Sequence, residues 1–109
     1  MYTLKYELYN CDYLRKHEQK NFGSLSAMKS WIHENTIEDG YHKWLPRKDA
    51  IGAIEFGTKD RKFDMWIHEI DSDEGILFTD GKYTGQQKHM SDRIVEWVSG
   101  LRQRNYNFV

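Results

Sequence analysis

The stretch FDMWIHEIDSDEGILFTDG, from Phe63 to Gly81, decides how this chain reads. Phe63, Met65 and Ile67 alternate with Asp64, Trp66 and His68, the period of two expected of a half-buried strand. Ser72-Asp73-Glu74-Gly75 has turn chemistry, Ile76 to Thr79 is a short apolar strand, and Asp80-Gly81 ends it. Upstream, Ala50 to Phe56 carries Ile51, Ile54 and Phe56, and Gly57-Thr58-Lys59-Asp60 reads as a hairpin turn. Together these runs predict three antiparallel strands in a meander.

Working outward, Tyr2, Leu4, Tyr6 and Leu8 alternate with Thr3, Lys5, Glu7 and Tyr9, which predicts a first strand. After a turn at Asn10-Cys11-Asp12, the polar segment Tyr13 to Phe22 reads as an edge strand, where charges discourage sheet-to-sheet aggregation. Ser24 suits a helix N-cap, and Leu25, Met28, Trp31 and Ile32 follow with helical spacing up to Asn35 or Thr36. Thr36 to Asp49 is a long connection holding Tyr41, His42 and Trp44. Met90, Ile94, Trp97, Val98 and Leu101 predict a last amphipathic helix, with Thr84 and Gln87 as a capping box. The order β-β-α-β-β-β-α gives an α+β domain, an antiparallel sheet of four to five strands with two helices on one face. The other face is expected to be partly wet, showing Lys5, Glu7 and Tyr9.

The 109 residues suit a single domain, and aromatics at 15% offset a polar composition. The one cysteine, Cys11, allows no internal disulfide, which suits a reducing cytoplasm. No apolar run approaches the length of a membrane span. The net charge of -1 argues against a nucleic-acid binder that relies on a global basic footprint.

Charge is nevertheless unevenly spread. Between Lys62 and Lys82 there is no Lys or Arg, while Asp64, Glu69, Asp71, Asp73, Glu74 and Asp80 accumulate around Trp66. Such an island is either a partner-binding rim or a solvated hairpin end. Asp71-Ser-Asp73-Glu-Gly75 opens like a calcium loop but lacks the later bidentate glutamate. His17, His33, His42, His68 and His89 show no paired zinc spacing, so a metal site would need ligands from separate segments. Cys11 beside Asp12 is a poor thiolate, and neither a nucleophile elbow nor a Gly-rich phosphate loop is present. No enzyme or cofactor is expected; the alternative to a protein-binding domain is a metal-binding protein with a His/carboxylate site assembled from separate segments. Arg15, Lys16 and Lys20, with Arg102, Arg104, Tyr106 and Phe108 in the C-terminal segment, form an alternative, weak nucleic-acid surface.

The opening Tyr2-Thr-Leu-Lys-Tyr-Glu-Leu-Tyr9, the segment Phe22-Gly-Ser-Leu-Ser-Ala-Met-Lys-Ser-Trp-Ile32 and the acidic strand-turn region carry a resemblance of layout. In style, the chain resembles the small accessory proteins of bacteriophages and mobile elements, including anti-CRISPR proteins. The resemblance implies a cytoplasmic, non-enzymatic inhibitor that binds a host protein, such as a nucleic-acid-binding effector, and covers its basic surface. It assigns no residue.

Overall fold

The computed structural model describes residues 1–10, 15–37, 41–42, 54–81, 85, 87, 89–99 and 101. Strand β1 (Tyr2–Tyr9) runs antiparallel to β2 (Arg15–Phe22), and helix α1 (Leu25–Asn35) follows. Then come β3 (Tyr41–His42), β4 (Ile54–Gly57), β5 (Asp64–Ser72), β6 (Gly75–Thr79), β7 (His89–Met90) and α2 (Asp92–Ser99). The α+β class and the strands expected at both ends of the Phe63–Gly81 stretch are present. The Ser24 hydroxyl caps α1 by accepting from the Ala27 amide at 3.0 Å.

The three central strands are not a simple meander. β1 pairs with β5 along its whole length, from Tyr2 opposite Ser72 to Tyr9 opposite Asp64. The other edge of β5 is shared end to end: β4 takes Asp64 to Ile67, and β6 takes Glu69 to Ser72. The sheet therefore branches at His68. The β1 register slips at the same place, with Lys5 opposite Glu69 but Tyr6 opposite Ile67, which leaves His68 as the bulged residue. The bulge has a visible cause in the sequence. Met65 and Ile67 are two apart, but Ile70 is three beyond Ile67, so one extra residue must be absorbed to keep all three on one face.

That face is the core. Leu4, Ile54, Phe56, Ile67, Ile70 and Phe78 are fully buried with Met28 and Ile32 of α1 and Ile94 of α2. Both helices thus cover one side of the sheet, and the Trp97 indole N–H donates to the Leu25 carbonyl at 2.9 Å, tying α2 to the start of α1.

Three expectations need correction. Tyr41 and His42, expected in a loop, form β3 against β4. Met90, expected at the start of the last helix, is in β7 opposite Phe78. The helix begins only at Asp92, after Ser91, and Gln87 is not helical; Thr84 lies outside the described residues. A two-residue strand is too short to leave a periodicity, and Met90 matches the helical stripe by position alone. The third concerns one residue of the sheet face expected to be partly wet: Lys5 and Tyr9 are partly exposed there, but Glu7 is only 1% exposed. The strand residues Ala50 to Ala53, the loop residue Trp44, Cys11 and the C-terminal segment beyond Leu101 lie outside the described residues.

Candidate functional site

The face opposite the helices is a polar layer built on β1, β2 and β5. His68 is buried at its centre, and its Nδ1–H donates to Asp80 Oδ2 at 2.6 Å. Its Nε2 is 3.4 Å from Glu7 Oε2. Arg15 donates through Nη1 to both Glu7 oxygens, at 3.2 and 3.3 Å, and His17 Nε2 lies 3.6 Å from Oε1. Trp66 stacks on the His68 ring with centroids 5.0 Å apart and planes 21° apart. Alternation puts His68 on the same side of β5 as Trp66, and the bulge adds Glu69 to that side; Asp80 also donates its amide to the His68 carbonyl at 3.0 Å, on the strand edge where β4 gives way to β6. Both ring nitrogens face carboxylates, and the ring presents almost no surface to solvent. The arrangement holds elements together and offers a substrate no open edge.

A second cluster sits further along the same face. Lys5 Nζ lies 2.8 Å from Glu69 Oε2 and 3.1 Å from Asp71 Oδ2. Those two hydrogen bonds hold the Lys5 ammonium above its ordinary range. Burial pushes the Glu69 carboxyl up, against the pull of Lys5, and the neighbouring Asp71 adds to the rise. Lys5 is partly exposed and loses little hydration, whereas Glu69 is buried and loses most of it. A carboxyl raised in the folded state contributes stability below its ordinary value of 4.5, and that contribution is lost as pH rises through the folded value. Glu69→Gln cannot ionise, so the difference in unfolding free energy between variant and parent should move in the variant's favour as pH rises from about 4 to 7. Urea unfolding at both pH values checks this, and a difference that is the same at both, or moves the other way, would refute it.

The acidic stretch is thus divided. Glu69, Asp71 and Asp80 are turned into internal pairs. Asp64 is half-buried at the far end of β5, where burial raises its carboxyl, and Trp66 is packed on His68 and Tyr9. Asp73 and Glu74 remain outward, on the two-residue turn between Ser72 and Gly75. Gly75 has φ 132°, a conformation side chains disfavour, and the Ser72 hydroxyl accepts from the Glu74 amide. This tight turn occupies the place of the calcium-like motif. Among the described residues, no three His, Cys, Asp or Glu side chains are grouped to hold a metal ion.

On the helix side lies an open groove of about 340 Å³ between α1, β1 and the loop joining β4 to β5. Tyr6, Leu8, Trp31, Phe63 and Met65 make its walls, and Asn35, Thr58, Lys59 and Asp60 its polar rim. Trp31 is braced by Tyr6 and Phe22, with ring centroids at 5.4 and 5.8 Å. The rim loop is closed by Thr58 and Phe63, whose amide and carbonyl groups bond across it, and the Asp60 carboxylate accepts from the Thr58 hydroxyl and the Lys62 amide. Sequence reasoning did not find this groove. Its walls come from three separate segments, and each aromatic on its own reads as core.

Compared with known proteins, the chain matches no family model, no curated protein and no solved structure. No described helix is long and apolar enough to cross a membrane.

Proposed function

We propose that the chain is a protein-binding domain that acts by covering part of a partner's surface rather than by transforming a substrate. The observation that carries this reading is the exposed acidic end of the sheet. Asp73, with a side chain 79% exposed and its carboxylate 2.7 Å from the Met1 ammonium, and Glu74 project from a turn whose backbone is fixed by Ser72 and Gly75. Fixed outward charges steer association and set its register, Asp73 less than Glu74 because the Met1 ammonium offsets it, while charges buried in internal pairs cannot. The finer reading follows the resemblance to anti-CRISPR proteins: a cytoplasmic inhibitor that sets this end against the basic, nucleic-acid-binding surface of a host effector.

The test uses Asp73→Lys/Glu74→Lys, which leaves the Lys5–Glu69–Asp71 cluster intact. Binding to purified CRISPR effectors without guide RNA is measured by biolayer interferometry. The double reversal should weaken binding about tenfold or more at low salt, and the difference should narrow at high salt, where exposed charges are screened over about 8–10 Å. Equal affinity of the two proteins at both salt concentrations would sink the acidic-end reading.

A further inference from the structure

Charge on this molecule is segregated in a way that its net value conceals. The loop between β4 and β5 carries Lys59, Arg61 and Lys62, all exposed, at one end of β5. Asp73 and Glu74 are at the other end, about 27 Å away at 3.4 Å per strand residue. β2 adds a second basic element. Its residues alternate between faces, so Lys16, Glu18 and Lys20 share the helix side with Leu8, Tyr6 and Leu4 opposite them. Lys16 Nζ lies over the Phe63 ring at 5.8 Å, and Lys20 Nζ lies over the Trp31 ring at 5.4 Å.

The same unit, an ammonium above an aromatic ring, therefore occurs twice along one edge strand. The two lysines are four residues apart, about 13 Å along the strand. Stacked duplex bases are about 3.4 Å apart, so this spacing suits splayed bases on an extended single strand. Between the two units is the groove, with apolar walls and the Asn35 side chain at its rim. Asn35 donates through Nδ2 to the Trp31 carbonyl, which leaves its amide oxygen as an acceptor for a base N–H, such as N3–H of thymine.

The geometry points to a single-stranded nucleic-acid site on this face: bases enter the Trp31–Phe63 groove, and phosphates are met by Lys16, Lys20 and the Lys59–Lys62 loop. Positive grooves with aromatic platforms are how proteins hold single strands without reading sequence. Glu18 stands between the two lysines and opposes a phosphate there, and Asp60, whose bonds within the loop stabilise its anionic form, does the same at the rim. The site is consequently weak, and its charge dependence is testable from both directions. It is independent of the acidic-end reading, because none of its residues is at that end.

The experiment is fluorescence anisotropy with a labelled oligothymidylate of about 12 nucleotides, a length within the range such grooves cover. A duplex of the same length and an oligoglutamate peptide are the comparison probes. At low salt the single strand should bind best. Lys16→Ala and Lys20→Ala, both exposed changes on an edge strand, should each weaken it about 3- to 10-fold and lower the salt slope by about 0.7. Glu18→Gln should tighten it about 2-fold by removing a like charge, and Lys29→Ala, on α1, should change nothing. Circular dichroism shows whether each variant remains folded. No binding of the single strand, equal binding of duplex or oligoglutamate, or indifference to both lysine changes in folded protein would overturn the proposal.

Discussion

Glu7→Ala should lower the unfolding free energy by about 3–5 kcal/mol, the cost of removing one partner from a buried charged network. Glu7 is 1% exposed and, among the described residues, serves three cationic or imidazole partners at once: Arg15, His17 and His68. Without its carboxylate, the buried His68 ring keeps Asp80 on one nitrogen and loses Glu7 from the other, while Arg15 and His17 lose their anchor. Glu7→Gln keeps the volume and one acceptor, so its cost should fall to about 1.5–3 kcal/mol, that of a hydrogen bond to a charged group. Urea unfolding followed by tryptophan fluorescence measures both. A midpoint for Glu7→Ala equal to that of the parent chain would show that the polar layer contributes no stability.

Phe78→Ala should cost a similar amount, about 3–5 kcal/mol, for a different reason. Phe78 is fully buried on β6, opposite Ile70 of β5 and Met90 of β7. The truncation leaves a cavity where these strands face the α2 residues Ile94 and Trp97 in the shared core. A domain of this size has about 5–15 kcal/mol in total, so either change can bring it near the edge of folding. Thermal unfolding at neutral pH is the check, and a loss below about 1 kcal/mol would mean that the core collapses around the missing ring.

What could be read in the sequence follows from what periodicity reports. β1 and α1 were legible because their apolar residues repeat over eight or more positions. β2 was legible as an edge because all but its last residue are polar, and those seven are exposed. Ile70, one step out of phase with Ile67, was the signal of a bulge, but a phase error alone does not say which residue is extra. The polar layer was not legible. Alternation separates two faces without saying whether the polar one is covered, and Glu7 is 61 positions from the His68 it meets. The acidic stretch was found as composition, yet its members divide between internal pairs and an exposed turn. That division depends on Lys5 and His68 being near, which no local pattern encodes. Net charge misled in the same manner, since opposite charges at the two ends of β5 cancel in the sum and not in space.

The branch at His68 has a mechanical consequence. β4 and β6 both hang on β5 but, among the described residues, do not bond to each other. The β1–β5 pair is thus a spine, with β3–β4 and β6–β7 as two separate leaves. Loosening one leaf leaves the ladders of the spine and of the other leaf paired, although β4 is also tied to the end of α1 through the Ile37 amide and the Gly57 carbonyl. Slow opening motions are consequently partitioned: the amides of β1 and β5 that face each other exchange with solvent last, while each leaf breathes on its own clock.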